Sequence, residues 1–122
     1  MIGNDIVDLK LAAAESNWQR KGYLDKIFTN LEQQFILKSD NQSELIWMFW
    51  SRKEAVYKIL LQQGFQKGFY PKKIECLDID FESGKVFFDN NIYYTKTSLS
   101  INYIHSVAVL HQAICFILIK FD

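Results

Sequence analysis

The chain has 122 residues, 49% of them hydrophobic and 16% aromatic, and its 14 basic and 14 acidic side chains give a formal net charge of zero. That length fits a single domain over residues 1–122, with core enough to fold without disulfides or metal staples. Balanced charge argues against a nucleic-acid binder working through a general basic field. No apolar run is long enough to span a membrane. Cys76 and Cys115 lie in strand-like apolar runs without C-x-x-C spacing, so they read as reduced core residues of a cytoplasmic protein, and zinc is not expected. Asp5 and Asp8 break any signal-peptide pattern at the amino terminus.

Residues 2–9 read as a strand in which Asp5 stands among Ile2, Ile6 and Val7, an acid that a strand this apolar does not need for its own sake. Gly3, just before it, allows close approach of another backbone or a ligand. Residues 11–28 read as helix, bent near Gly22. Thr29 and Glu32 have capping-box spacing for a new helix that runs to about Lys38. Ser43 is the expected N-cap of a long helix over residues 44–63. Leu45, Phe49, Val56 and Leu60, interrupted by Arg52, form one stripe on it, and Trp47, Trp50, Glu54, Lys58 and Leu61 form another. A helix apolar on two sides is buried in the fold or at a subunit contact. Gly64 ends it.

Beyond a loop around Gly68 and Pro71 the period changes to two. Strands are expected over residues 73–81, 85–88, 94–101, 105–110 and 113–121, with a hairpin turn at Ser83-Gly84. Aromatic residues crowd this half (Phe65, Phe69, Tyr70, Phe81, Phe87, Phe88, Tyr93, Tyr94), as suits strands packing on a helix. The fold class is α+β: helices early, then a mostly antiparallel sheet packed against the long helix.

The chemistry concentrates in W-S-R-K-E-A-V-Y-K, residues 50–58, where Glu54 and Lys58 share a helix face. A carboxylate beside an ammonium suits Mg²⁺ and a phosphorylated ligand. It is also the commonest helix-stabilising ion pair, contributing roughly 0.2–0.5 kcal/mol, and these residues alone leave both readings open. Around them Arg52, Lys53, Lys58, Lys67, Lys72 and Lys73 outnumber Asp40, Glu44 and Glu54, a basic zone that fits a polyphosphate or a solvated helix face.

Three segments, Gly3-Asn4-Asp5-Ile6-Val7-Asp8, K-I-F-T-N-L-E over residues 26–32 and W-S-R-K-E-A-V-Y-K over residues 50–58, together resemble the 4′-phosphopantetheinyl transferase superfamily. The likeness is to its short holo-[acyl-carrier-protein] synthase branch, whose motifs are G-x-D-[IV]-x-[ED], R-[IV]-[LF]-T-x-x-E and W-x-x-K-E-A-x-x-K. The resemblance implies Mg²⁺ held by Asp5 and Glu54, with Glu54 also helping to remove the proton of the attacking hydroxyl. Val7 stands where larger members carry another acid, matching the two-carboxylate arrangement of the short branch. Lys53 and Lys58 become candidates for coenzyme A phosphates, and Asp5, Glu54 and Lys58 form the expected catalytic set. Asp8 is expected to be structural, in a cap or salt bridge. Lys10, Arg20, Lys21 and Lys26 stand where the family presents basic groups to an acidic carrier-protein helix. The family's S-[IL]-S-H ending is replaced by Thr97-Ser98-Leu99-Ser100-Ile101, which leaves His105, from a shifted loop, as the candidate for coenzyme A binding.

The implied reaction is Mg²⁺-dependent transfer of 4′-phosphopantetheine from coenzyme A to a serine of an apo acyl or peptidyl carrier protein, releasing adenosine 3′,5′-bisphosphate. The resemblance implies a homo-oligomer, with a trimer favoured and Asp5 and Glu54 near the subunit contact. The alternative is a catalytically inactive coenzyme A-binding or regulatory module of the same fold. A further rival is an interaction protein using Trp47, Phe49 and Trp50 as a contact surface.

Overall fold

The structure is a computed structural model and describes residues 1–68 and 70–110. Phe69, Cys115 and the strand expected over residues 113–121 lie outside the described residues. The elements in chain order are β1 (Ile2–Asp8), α1 (Leu9–Glu15), α2 (Tyr23–Ile27), α3 (Asn30–Lys38), α4 (Gln42–Gln62), a 3₁₀ turn (Pro71–Lys73), β2 (Glu75–Cys76), β3 (Gly84–Phe88), β4 (Asn91–Leu99) and β5 (Tyr103–Val109). The strands form one antiparallel sheet in the order β1-β5-β4-β3-β2, so the first strand pairs with the last described one. The α+β architecture is as expected.

Twelve of the 21 residues of α4 are buried, which makes it the central helix of the fold. One side of it lies on the inner face of the sheet, where Gly3, Asp5 and Val7 of β1 alternate inward opposite Ala108, Ser106 and Ile104 of β5. On another side Phe49 meets the rings of Phe28 and Phe35, at centroid distances of 6.4 and 6.3 Å. Phe49 is therefore core and Trp47 nearly so, which removes the contact surface that the interaction-protein reading required.

Buried polar groups tie α4 to its neighbours. Thr29 and Glu32 form the expected capping box, with Glu32 N donating to Thr29 Oγ1 and Thr29 N to Glu32 Oε1. Glu32 also accepts from Lys53 Nζ at 2.7 Å and, through its other oxygen, from Cys76 N at 2.7 Å, so one carboxylate joins α3, α4 and β2. Arg52, the interruption in the apolar stripe, is fully buried; its guanidinium donates to Thr97 Oγ1 and to the carbonyls of Asp78 and Asp80. Burial pushes the Cys76 thiol well above its ordinary range, consistent with an inert core cysteine.

Several boundaries differ from expectation, each for a local reason. The helix expected over residues 11–28 is two short helices, because Asn17 turns its side chain onto Gln19 N and its carbonyl onto Arg20 N, and Gly22 adopts φ 85°. Asn41, not Ser43, caps α4 by accepting from Glu44 N, while Ser43 Oγ accepts from Trp18 Nε1. The strand expected over residues 73–81 shrinks to β2, because Asp78 and Asp80 accept from amides two residues on and Arg52 claims their carbonyls. The tight hairpin turn falls at Asp89-Asn90, both with positive φ, rather than at Ser83-Gly84.

At Gly3 the backbones of β1 and α4 come together, and a β-carbon there would collide with the carbonyl oxygen of Ala55. Gly3→Ala is expected to lower unfolding free energy by about 1–3 kcal/mol or more, measured by urea denaturation. Lys53→Met leaves Glu32 buried without its cation and is expected to cost about 3–5 kcal/mol in the same measurement.

Candidate active site at the β1–α4 junction

Alternation along β1 turns Asp5 toward α4, and helical spacing brings Glu54 and Lys58 to the strand-facing side of that helix. Asp5 and Glu54 line one open cleft of about 460 Å³, walled by Trp47, Trp50 and Tyr23 and edged by Glu15. Lys58 closes the group from the side: its Nζ lies 2.6 Å from the backbone oxygen of Asn4 and 3.3 Å from Asp5 Oδ1.

Both carboxyls titrate above the ordinary carboxylate range. For Asp5 the cause is burial, opposed by the neighbouring Lys58 and, more weakly, by His105. For Glu54 it is burial and then the negative charge of Asp5, opposed by Lys58. The two groups therefore feel each other, and one ammonium does not neutralise both.

The remaining expected residues separate. Lys53, expected to meet coenzyme A phosphates, is fully buried with its ammonium held by Glu32 and by the carbonyls of Pro71 and Ile74. It cannot reach a ligand without breaking the core, and that expectation is corrected. Asp8 caps α1 by accepting from Leu11 N at 3.0 Å, as expected of a structural acid. His105 lies within β5, not in a shifted loop. It pairs with Ile6 and Ser98 and so faces the side of the sheet opposite Asp5 and Ser106. Arg20, Lys21 and Lys26 gather around one shallow hollow beside α2, whereas Lys10 lies apart on α1.

Glu15, Tyr23 and Trp47 reach the cleft from three helices, and no spacing rule announces this convergence. Trp47 had a visible signal, since it is one turn from Trp50 on the stripe that carries Glu54 and Lys58.

The motif segments thus meet around one cleft and its supporting core, and the comparisons decide what they belong to. Residues 1–115 match the sequence profile of the 4′-phosphopantetheinyl transferase superfamily. The chain belongs to that superfamily. Among solved structures it is similar to holo-[acyl-carrier-protein] synthase from Neisseria meningitidis, with TM-score 0.72 and 16% identity over 91% of this chain and 97% of that one. It is likewise similar to the Helicobacter pylori enzyme in complex with coenzyme A, with TM-score 0.71 and 19% identity over 91% of this chain and all (100%) of that one. The Mycobacterium tuberculosis acyl carrier protein synthase gives TM-score 0.62 and 18% identity over 90% and 95% of the two chains. At these identities the structural likeness establishes the superfamily fold. A search of curated proteins by sequence finds no match.

The cleft suits the divalent cation that this superfamily implies. Asp5 and Glu54 both line it, Lys58 pairs with Asp5, and burial first, with the charge of Asp5 acting on Glu54, pushes both carboxyls above their ordinary values. Among the described residues no set of three His, Cys, Asp or Glu is placed to hold a metal unaided. Mg²⁺, which draws its remaining oxygens from phosphate and water, fits a two-carboxylate site of this kind.

A carboxyl whose folded pKa is raised lends stability below the raised value and withdraws it as pH climbs through the interval from its ordinary value to the raised one. In EDTA, Glu54→Gln is therefore expected to melt about 1–3 °C above wild type at neutral pH, a shift kept small by the partial exposure of the group. The difference should vanish near about pH 4, where Glu54 itself is protonated. Equal differences at both pH values would contradict this account.

Proposed function

We propose that the chain is a Mg²⁺-dependent transferase that moves the 4′-phosphopantetheine arm of coenzyme A onto a serine hydroxyl of an apo acyl or peptidyl carrier protein. The observation that carries this reading is the convergence of Asp5 and Glu54 on one cleft, with Lys58 paired to Asp5 beside it, in a chain of this superfamily. That the Helicobacter pylori relative was solved with coenzyme A supports the choice of donor.

The serine oxygen attacks the phosphorus that bears the pantetheine arm. The bond from that phosphorus to the bridging pyrophosphate oxygen breaks, and adenosine 3′,5′-bisphosphate leaves. Glu54, whose proton affinity is raised by burial and by Asp5, accepts the serine proton directly or through water. Asp5 and Glu54 would hold the metal, which when bound supplies positive charge to offset that of the leaving group. Lys58, the ligand-accessible lysine of the motif helix, steadies phosphate oxygens. Lys53 contributes only through the core that sets the pitch of α4. Arg20, Lys21 and Lys26 form the docking surface for an acidic carrier, and docking aligns the serine.

The outer face of the sheet supports an oligomer, for which a trimer is the favoured state. Ile2, Ile6, Phe87 and Tyr103 stand exposed on it, and an apolar face of this kind suits contact between copies. Sedimentation giving only monomer at micromolar protein with coenzyme A present would overturn the oligomer.

The reaction is tested by intact-mass spectrometry of an apo carrier protein incubated with the chain, coenzyme A and MgCl₂. A gain of one phosphopantetheine mass is expected, abolished by EDTA and slowed about 10²-fold or more by Glu54→Ala. Coenzyme A binding with no mass gain on several carriers would favour the inactive module instead. Reversing Arg20, Lys21 and Lys26 to Glu is expected to raise KM for the carrier by about 10-fold or more with little change in kcat, an effect that weakens as salt rises.

A further inference from the structure

Lys58 is oddly placed for a residue whose task is to meet phosphates. Its ammonium points back at β1, donating to the Asn4 carbonyl at 2.6 Å and to Asp5 Oδ1 at 3.3 Å. The Asp5 side chain is only 16% exposed, and Lys58 lies against one of its two carboxylate oxygens, Oδ1. The lysine, by contrast, is 46% exposed at its side chain and is anchored by a single backbone carbonyl and one long ion pair. It can leave; the carboxylate cannot.

We propose that Lys58 is a displaceable cap on Asp5, released when the phosphates of the donor draw its ammonium away, so that donor and divalent cation load together. The inference rests on the reading of the cleft given above and adds to it an order of events. Without donor, the ammonium supplies part of the charge that Asp5 and Glu54 call for, and an incoming cation must evict it. With donor, the ammonium has anionic oxygens to move to, and Asp5 is open. Each ligand therefore favours the state in which Lys58 is off Asp5, and by reciprocity each raises the affinity of the other. Direct bridging of cation and phosphate adds coupling of its own, but that part does not depend on residue 58.

The test uses the intact chain and Mn²⁺ as the probe ion, titrated calorimetrically or by electron paramagnetic resonance, with and without coenzyme A and in the absence of any carrier, so no turnover occurs. Lys58→Met keeps the apolar stem and removes the charge. If Lys58 is a cap, Lys58→Met binds Mn²⁺ about 3- to 10-fold more tightly than wild type without coenzyme A, and the factor by which coenzyme A improves Mn²⁺ binding falls by a similar amount. Simple charge repulsion from a stationary lysine predicts something else: an equal rise with and without coenzyme A and an unchanged coupling factor. That result overturns the cap while leaving the metal and donor assignments standing. Absence of Mn²⁺ binding by either protein overturns both the cap and the reading of the cleft.

Discussion

Because position 3 carries no side chain, the backbone of α4 comes down on β1 until Ala55 O fills the space a β-carbon would take. Two elements that meet backbone to backbone have no side-chain layer to absorb errors, so their relative height and rotation are set closely. Asp5 lies two residues after Gly3, and Glu54 one residue before Ala55, so the acids on the two elements inherit that contact. The buried hydroxyls of Ser51 on α4, Ser106 on β5 and Thr97 on β4 hydrogen-bond in series beneath them and fix the same helix to the middle of the sheet. Both carboxyls are half-buried at this junction, and that burial is the main reason they hold their protons above their ordinary values.

The two lysines of the motif helix show how helical geometry divides labour. Five residues advance a helix by about 500°, which leaves Lys53 and Lys58 about 140° apart around the axis. Lys53 consequently points into the junction of α3, α4 and β2, where Glu32 and two carbonyls satisfy it. Lys58 reaches β1, at the Asn4 carbonyl and the Asp5 carboxylate. The motif thus encodes a support and a working group, and a one-dimensional pattern does not tell them apart. The K-I-F-T-N-L-E segment is a support as well: its Glu32 closes the capping box and receives Lys53 in the same act.

How much was legible follows the range of the interactions involved. Local rules of strand and helix placed Asp5 on a strand and Glu54 and Lys58 on one helix face, the family resemblance implied that they meet, and the Thr29 cap and Gly64 stop follow from adjacent residues. Where long-range partners decide, the reading failed. Nothing near Lys53 in the chain announces Glu32, twenty-one residues before it. The shortened β2 reflects Arg52 reaching the loop after it, and only the fold brings that guanidinium there. Asp89-Asn90 is different: both residues tolerate left-handed backbone, so the turn signal was present and passed over in favour of Ser83-Gly84. His105 was expected at the start of a strand over residues 105–110, and its ligand role from a shifted loop rested only on a family motif the chain lacks; in β5 it alternates outward against Ile104, Ser106 and Ala108.

The hydrogen bonds along β1 carry a consequence for the chain before it ever meets a ligand. Among the described residues β1 and β2 are the outer strands of the sheet, and open strand edges invite pairing with other chains. On β1 the Ile2 and Asn4 carbonyls are taken by Gln62 Nε2 and Lys58 Nζ, both from the end of α4. On the opposite side β2 is two residues long, and the loop after it is held by Arg52. A single helix therefore quiets both margins of the sheet, and α4 is made before any of strands β2 to β5 leaves the ribosome. The segment that bears the acid and the lysines is also placed to guard the nascent sheet against aggregation.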